Sequence, residues 1–260
     1  MNDRVSISIE NHVADVRLTR ADKMNALDPD MFHAIIAAGR ELAETKGVRA
    51  AVLSGEGRSF CAGLDMGSMV SGTTAGTIDD RPYGNANVFQ YVSTVWRDLP
   101  VPVIAAIHGV CFGGGLQIAS GADIRVVAPD ARLSIMEAKW GLIPDMGGYS
   151  VWPGYVRDDV LRELTYTNRE FSGEEAQQLG FATHVDSDPH ARAIQIARTI
   201  ADRSPDAIRA AKRLFNSVGD MDTDAILQAE AAEQKKLVQS ANQMEAVMAG
   251  MEKRAAKFAD

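Results

Sequence analysis

The first third of the chain changes from strand-like to helix-like spacing of its apolar residues. Apolar residues occupy alternate positions over residues 5–9 and again over residues 14–18. Alternation of this kind, interrupted by a short polar turn, predicts a β-hairpin. Helical spacing follows over residues 29–46, opened by Asp28 as a helix cap and Pro29 as a first-turn proline. The pattern therefore predicts a unit of two strands and one helix.

Strands and helices continue to alternate in the middle of the chain. Apolar runs at residues 50–53 and 101–107 predict strands, and residues 86–98 predict a helix that closes before Pro100. Residues 67–87 between them are rich in Gly, Ser, Thr and Asp. A loop of this length inside a domain is usually functional or mobile, so we expect it to form a lid or the rim of a pocket.

Residues 108–148 carry the greatest density of unusual features. Three consecutive glycines at 113–115 lead into a predicted helix, and such a run frees backbone N–H groups and lets a ligand approach the main chain. A pair of strands is predicted at residues 124–128 and 132–136, followed by Glu137 and Asp145. Carboxylates at strand ends and in loops are candidates for chemistry.

The last part of the chain is predicted to be helical. A helix is expected near residues 156–165, and a capping-box match at residues 172–175 begins a shorter one that ends at Gly180. From residue 204 onward the composition shifts to Ala, Glu, Gln, Lys and Met. We divide the mixed α/β chain into a core at residues 1–200 and a helical region at residues 201–260. The apolar faces of that region, with Met244, Met248 and Met251, predict self-association.

Composition and charge narrow the possible functions. With 260 residues, 46% of them hydrophobic, the chain can bury one large core. Its formal charge of −8 argues against nucleic acid or an anionic membrane as the main partner. Cys61 and Cys111 form neither a disulfide framework nor a CxxC pair, which favours a reducing compartment. No targeting leader and no membrane-spanning run is visible, so we expect a cytoplasmic protein.

The sequence gives no sign of a metal site or a nucleotide-phosphate loop. The five histidines show no ligand spacing with one another or with acidic residues, and no GxxxxGK motif is present. We therefore expect neither a metal ion nor ATP chemistry.

Several segments together resemble the crotonase superfamily, the enoyl-CoA hydratase/isomerase group. They run in the order and roughly the spacing that the family uses, over nearly the whole chain: RADKMNAL (20–27), SFCAGLD (59–65), IHGVCFGGGLQ (107–117), ADI (122–124), EAKWGLIPDMGG (137–148), SGEEAQQLG (172–180) and SPDAIRAAKRLF (204–215). The resemblance implies a spiral of strand-strand-helix (ββα) turns with a C-terminal helical trimerisation region, assembled as trimers or hexamers. It also implies an acyl-CoA thioester as substrate, with no separate cofactor because coenzyme A is part of that substrate.

The resemblance also assigns expected roles in substrate binding. The thioester oxygen would lie between the backbone N–H groups of Leu64 and Gly114, where two donors stabilise an enolate. Coenzyme A contacts would come from Lys23 and from the main chain around Ala62 and Asp65. Trp140 is a candidate wall of the acyl pocket, although a core position is an equal alternative.

Three positions bear on which reaction occurs. Hydratases of this family hold a water between two carboxylates, and here Glu137 matches one of them while Gln117 stands at the other. A glutamine can orient water but cannot accept or return a proton. Asp145 resembles the dienoyl-CoA isomerases, in which a Glu and an Asp move a proton along a conjugated acyl chain. An aryl-CoA dehalogenase branch uses the same aspartate position as a nucleophile but lacks the glutamate.

The favoured interpretation is double-bond isomerisation by Glu137, with or without Asp145. Hydration of a 2-enoyl-CoA, with Gln117 positioning the water, and a catalytically silent binding protein are the alternatives. Ordinary structural roles are also open for both acids, because Glu137 could pair with Lys139 or Arg132 and Asp145 could belong to a turn.

Overall fold

The computed structural model describes residues 3–260; the expectation that no leader precedes the first strand involves residues 1 and 2 and lies outside this range. The strands are β1 (Val5–Glu10), β2 (Val13–Leu18), β3 (Ala50–Gly55), β4 (Val103–Ile107), β5 (Val110–Phe112), β6 (Ile124–Val127), β7 (Arg132–Ser134), β8 (Phe171–Ser172) and β9 (His184–Val185). The helices are α1 (Pro29–Glu44), α2 (Met66–Ser71), α3 (Val88–Asp98), α4 (Gly114–Ser120), α5 (Gly148–Val151), α6 (Asp158–Thr167), α7 (Gly173–Leu179), α8 (Pro189–Ala201), α9 (Pro205–Ser217), α10 (Thr223–Leu237) and α11 (Ala241–Glu252).

The main sheet has six strands in the order β1-β2-β3-β4-β6-β9. β1 and β2 form the predicted antiparallel hairpin, and the remaining neighbours are parallel. The predicted cap of α1 is confirmed as well, because the Asp28 side chain accepts a hydrogen bond from the Met31 N–H. The first unit of two strands and a helix therefore forms as its hydrophobic pattern predicts.

Both faces of this sheet are buried at β3 and β4, which explains the continuous apolar runs of these two strands. Leu53 and Ala105 belong to the larger core, which also contains residues of α1 and α3. Val52 and Ile104 point to the opposite face and pack with alanines of α8. The sequence analysis did not predict α8, whose small residues let it lie close against the sheet.

A second sheet of three strands, in the order β5-β7-β8, lies beside the first. The strands predicted as a pair at residues 124–128 and 132–136 do not pair with each other. β6 joins the main sheet, whereas β7 pairs with β5 and β8. Both predicted strands form, but the turn at residues 128–131 carries the chain from one sheet to the other, so that neighbours in sequence are not neighbours in space.

Residues 67–87 are only partly a loop. Their first residues belong to α2, which begins at Met66 because the Asp65 carboxylate accepts a hydrogen bond from the Ser68 N–H. Most of the residues that follow, up to residue 85, are exposed and have no helix or strand longer than a single bridge. The predicted pocket rim is therefore a short helix followed by an irregular segment.

The C-terminal helices form an extension that is only lightly buried. α10 has no buried side chain, and Met244, Met248 and Met251 on α11 are exposed in the single chain. α9 is anchored more firmly, because Lys212 is buried and its Nζ donates to the carbonyls of Trp96 and Val101 and to the carboxylate of Asp123. The boundary between residues 200 and 201 stays a prediction.

No helix within residues 3–260 is both long and apolar enough to cross a membrane.

Replacing Lys212 with Met should destabilise the fold. The change removes the cation that pairs with Asp123 and leaves two buried carbonyls without a donor, a loss we expect to cost about 3 kcal/mol. Urea unfolding of the variant would measure it. Lys235→Met, at an exposed site on α10, is the matched control, and equal midpoints for the two variants would contradict the anchoring role.

Candidate active site

The site begins with a short parallel contact between residues 60–62 and β5. The Phe60 N–H donates to the His108 carbonyl at 2.9 Å, and the Cys61 N–H donates to the Val110 carbonyl at 3.1 Å. The Phe112 N–H donates back to the Cys61 carbonyl at 3.0 Å. This register brings Gly63 and Gly113 side by side at the points where the two segments diverge.

Two backbone N–H groups remain free beyond this contact. Within residues 3–260, neither Leu64 nor Gly114 donates its backbone N–H to another group of the chain. The two lie close together, because a Cβ built on Gly63 would be 3.7 Å from the Gly114 nitrogen. A pair of unused donors beside a cavity is suited to hold one oxygen atom of a ligand.

The glycine run is required by this geometry. Gly113 has φ +49°, in the left-handed region that favours glycine. A Cβ on Gly115 would lie 2.5 Å from the Cys61 carbonyl oxygen, which is too close for any side chain. The run therefore keeps α4 against the Cys61 segment and fixes the position of the free Gly114 N–H.

Glu137 reaches the same place from the second sheet. The Gly113 N–H donates to the Ser134 carbonyl at 2.9 Å, and the chain then enters a short 3-10 turn at Glu137–Trp140. Glu137 is 7% exposed, and burial raises the pKa of its carboxyl. Its Oε2 is buried without a hydrogen-bond partner in the described chain.

The ion pairs considered for Glu137 do not form. Arg132 pairs with Glu170 through two hydrogen bonds, and the Lys139 ammonium lies 5.4 Å from the centre of the Trp140 ring. Glu137 has no ion pair among residues 3–260. A buried acid without a cation is a marker of a functional site.

Gln117 does not line the cavity, contrary to the sequence-based expectation. It is fully buried in α4, behind Glu137, and its Nε2 donates to Glu137 Oε1 at 2.6 Å. Its Oε1 accepts from the backbone N–H groups of Met146 and Gly148 at 2.9 and 3.0 Å. The expectation was wrong on this point because the first turn of α4 directs residue 117 into the protein.

Asp145 shares the cavity with Glu137. It is half-buried, burial raises the pKa of its carboxyl, and the carboxylate is paired with no cation in the described residues. The negative charge of Asp145 also contributes to the raised pKa of Glu137, after the larger effect of burial. The charge of Asp145 therefore acts on Glu137 across the cavity.

The cavity measures about 230 Å³, and most of its lining is apolar. Leu64, Gly114, Glu137, Asp145, Ala62 and Trp140 all line it. The sequence analysis missed further apolar residues: Met66, Met69, Phe112, Met136, Leu142, Ile143 and Met146. The apolar residues next to the glycines in DMGSMV and GLIPDMGG were the signal that could have identified several of them.

The expected coenzyme A contacts lie outside this cavity, apart from Ala62. Lys23 is exposed at the end of the 3-10 turn Ala21–Lys23. The Asp65 carboxylate is occupied, because it caps α2 and forms an ion pair with Arg20 at 2.7 Å. The roles of Lys23 and Asp65 stay predictions.

The cysteines behave as the sequence suggested. Cys61 and Cys111 are both free and fully buried, and burial raises the pKa of the Cys61 thiol to about 12. They pack as small apolar side chains beside the contact that forms the site.

The chain is similar to proteins that act on enoyl-CoA esters. The profile described as enoyl-CoA hydratase/isomerase matches residues 8–260. The mitochondrial Delta(3,5)-Delta(2,4)-dienoyl-CoA isomerase of Mus musculus is 31% identical over 96% of this chain and 80% of its own length. Enoyl-CoA hydratase EchA19 of Mycobacterium tuberculosis is 30% identical, over 95% of this chain and 93% of its own. The crystal structure of an enoyl-CoA hydratase from Bacillus anthracis superposes with a TM-score of 0.88 at 28% identity and covers 98% of both chains.

Glu137→Gln should stabilise the protein, and the gain should grow with pH. A carboxyl whose folded-state pKa is raised favours the fold while both states are protonated, below its unfolded value, and loses that contribution as the pH rises through the folded-state pKa. The neutral glutamine avoids this loss. Thermal unfolding of variant and parent across a pH series would measure the difference.

The control for this series is Glu44→Gln, at an exposed site near the end of α1. We expect its unfolding temperature to follow that of the parent protein at every pH. A gain for Glu137→Gln that is the same in acid and in alkali would contradict the buried, unpaired state of Glu137.

Proposed function

Because the chain belongs to the enoyl-CoA hydratase/isomerase family, we propose that this enzyme moves double bonds along the acyl chain of an enoyl-CoA or dienoyl-CoA thioester, with Glu137 and Asp145 transferring the proton. Its crotonase fold and its standing as an enzyme of this group are established by the match over nearly the whole chain. The choice of isomerisation is the proposal.

One structural feature supports the choice of isomerisation. Two carboxyl groups with raised pKa values and no cationic partner line a mainly apolar cavity, next to two free backbone N–H groups. Isomerisation needs a base at one carbon, an acid at a carbon further along, and donors for the oxygen that becomes negative in between. In the cavity, Glu137 can serve as the base, Asp145 as the acid, and the N–H groups of Leu64 and Gly114 as the donors.

The thioester oxygen accepts hydrogen bonds from Leu64 and Gly114. These donors stabilise the enolate as charge moves from the acyl chain onto that oxygen. Loss of one such donor typically raises the barrier by about 3–4 kcal/mol. Because both are main-chain groups, they are held in place by the pairing of residues 60–62 with β5.

The proton balance closes within the site. The Glu137 carboxylate removes a proton from a carbon next to the thioester, and the electron pair is delocalised over the conjugated chain and the oxygen. Asp145, protonated at the start, then donates its proton to a carbon further along. The double bonds have moved, and one proton has passed from Asp145 to Glu137 overall, so that exchange with solvent restores the starting state.

Hydration is the second reaction that relatives of this chain are named for. It would need a polar group other than Glu137 to hold the attacking water. The Gln117 oxygen is occupied by two backbone N–H groups, its Nε2 donates to Glu137, and the residue does not line the cavity, so its side chain is poorly placed to bind that water. A silent binding protein is less well supported still, because an unpaired buried acid is costly and serves no purpose without chemistry.

An activity assay with three thioesters tests the proposal. The parent protein should interconvert 3,5-dienoyl-CoA and 2,4-dienoyl-CoA, or 3-enoyl-CoA and 2-enoyl-CoA. Glu137→Gln and Asp145→Asn should each lower kcat by about 10²- to 10⁴-fold, the contribution of a positioned proton-transfer group. Ultraviolet absorbance of the conjugated product gives the rate.

Glu44→Gln is the matched control and should keep the parent rate. Hydration of 2-enoyl-CoA as the only activity, undiminished in Asp145→Asn, would show that the proposal is wrong and that Asp145 belongs to a turn.

We also propose that the chain assembles as a trimer or hexamer in the cytoplasm, with coenzyme A near Lys23. Met244, Met248 and Met251 are spaced to lie on one side of α11, and all three are exposed in the single chain. Burial against another copy would remove this surface from water.

Met251→Glu should weaken this assembly, because it would place a charge in the apolar contact. Sedimentation velocity over a dilution series would measure the shift toward smaller species. Tyr166→Glu, on exposed α6, is the control for surface charge. A monomeric parent protein, or equal sedimentation of the two variants, would contradict the role of α11.

A further inference from the structure

Gln117 contacts both the Glu137 side chain and the loop that carries Asp145, so it touches the surroundings of both proposed catalytic acids. Its Nε2 donates to the Glu137 carboxylate, and its Oε1 accepts from the N–H of Met146, the residue directly after Asp145. It is fully buried and does not line the cavity. Any effect of Gln117 on the reaction must therefore act through its neighbours.

The orientation of its amide is determined by the main chain. The N–H groups of Met146 and Gly148 can only donate, so the group facing them must be the amide oxygen. The NH₂ group is then left to face Glu137. An inverted amide would place its hydrogens against those two N–H groups and its oxygen against a carboxylate oxygen, so only one orientation satisfies all three contacts.

The consequence for Glu137 is that its two oxygens differ. Oε1 is held at 2.6 Å by Gln117, whereas Oε2 has no partner in residues 3–260. Rotation of the carboxyl group would break the Gln117 contact. One oxygen is thus anchored and the other is left to exchange a proton.

The residue type matters as much as the position. A carboxylate at residue 117 could accept from the same two N–H groups, but its second oxygen would lie against Glu137 Oε1, and two like charges at that distance cannot both ionise. Glutamine supplies a donor without a charge. It therefore anchors Glu137 without adding another acid beside it.

We propose that Gln117 is a positioning residue that fixes Glu137 by one carboxylate oxygen, links it to the loop bearing Asp145, and so sets the geometry for proton transfer between the two acids. The inference rests on the proposed function for its catalytic meaning, whereas the anchoring of Glu137 itself can be measured without any substrate.

The charged groups that face Glu137 limit what else could shift its titration. Asp145 is the acid that acts on it across the cavity, and Lys139 and Glu170 lie at the cavity rim. Glu170 is neutralised by Arg132, and the Lys139 ammonium lies over Trp140. Variants at residue 117 leave all of these unchanged.

Two variants separate the donor from the acceptor function. Gln117→Met removes both, whereas Gln117→Glu keeps an oxygen for the Met146 and Gly148 N–H groups and replaces only the donor to Glu137. Ser120→Ala is the control, because Ser120 is equally buried in α4 and bonds to Trp152 instead of Glu137. It reports any general loosening of the helix.

The first measurement is an infrared titration of the Glu137 carboxyl in the free protein, with its band assigned by comparison with Glu137→Gln. We expect the midpoint to move to higher pH in Gln117→Met, which loses the hydrogen bond that stabilises the carboxylate, and further still in Gln117→Glu, where a second acid also opposes ionisation of Glu137. It should stay at the parent value in Ser120→Ala.

The second measurement is the pH dependence of kcat/KM for double-bond migration. The rising limb should shift in the same direction, and kcat should fall by about 10- to 100-fold, as expected when a reacting group loses its alignment. KM should change little, since Gln117 does not contact the cavity.

The outcomes distinguish the two proposals. Shifted titration midpoints in a protein that isomerises no thioester would uphold the anchoring of Glu137 and reject the isomerase function. An active parent protein with unshifted midpoints in both folded variants would reject the positioning role alone. Equal shifts in Ser120→Ala would also reject it, because the effect would then come from the helix and not from the amide.

Discussion

The pairing of residues 60–62 with β5 is the interaction on which the site depends. Three main-chain hydrogen bonds hold the two segments in parallel register, and the fully buried Cys61 and Cys111 pack beside them. The segments diverge at two glycines, so the next N–H groups, those of Leu64 and Gly114, have no partner within the described chain. An unmade hydrogen bond at a buried donor costs about 1–3 kcal/mol, and a ligand oxygen can recover that cost. The proposed site for the thioester oxygen is therefore the point at which the main-chain hydrogen bonds between the two segments stop.

The two acids of the cavity, Glu137 and Asp145, differ from several other carboxylates of the protein because they have no cationic partner in the described chain. Several carboxylates outside the cavity are paired with cations, as Asp65 is with Arg20 and Asp123 with Lys212. Glu137 and Asp145 have no such partners, and burial raises the pKa of both. Arg132, a candidate ion-pair partner for Glu137, is instead held by Glu170. The cavity thus contains two acids, Glu137 and Asp145, whose charge no cation neutralises and which can gain or lose a proton.

The neutral amide of Gln117 connects α4 with the loop that follows Asp145, and it holds Glu137 without adding a charge. Gln117 gives Glu137 one hydrogen bond without adding a charge that would suppress its ionisation. Its other end satisfies two N–H groups of the loop that follows Asp145. Stability of the loop and alignment of the acid therefore depend on the same three contacts.

The sequence by itself determined the local elements and the identity of the chemical groups. Alternation at residues 5–18 and the Asp28 cap predicted the hairpin and α1, since both depend on near neighbours in the chain. Family resemblance indicated Leu64, Gly114, Glu137 and Asp145, and all four line one cavity. Their catalytic roles stay predictions.

Only the tertiary structure decided which elements pair and which way a side chain points. β6 and β7 are adjacent in sequence yet belong to different sheets, because long-range partners outcompete local ones. α8 went unpredicted, although its alanines cover a whole face of the main sheet. Gln117 was expected at the cavity surface but lies behind it, because the two N–H groups that hold its oxygen come from a loop about 30 residues further along the chain. Contacts of that range leave no local pattern in the sequence, since nothing in the spacing of residues records which distant N–H will face them.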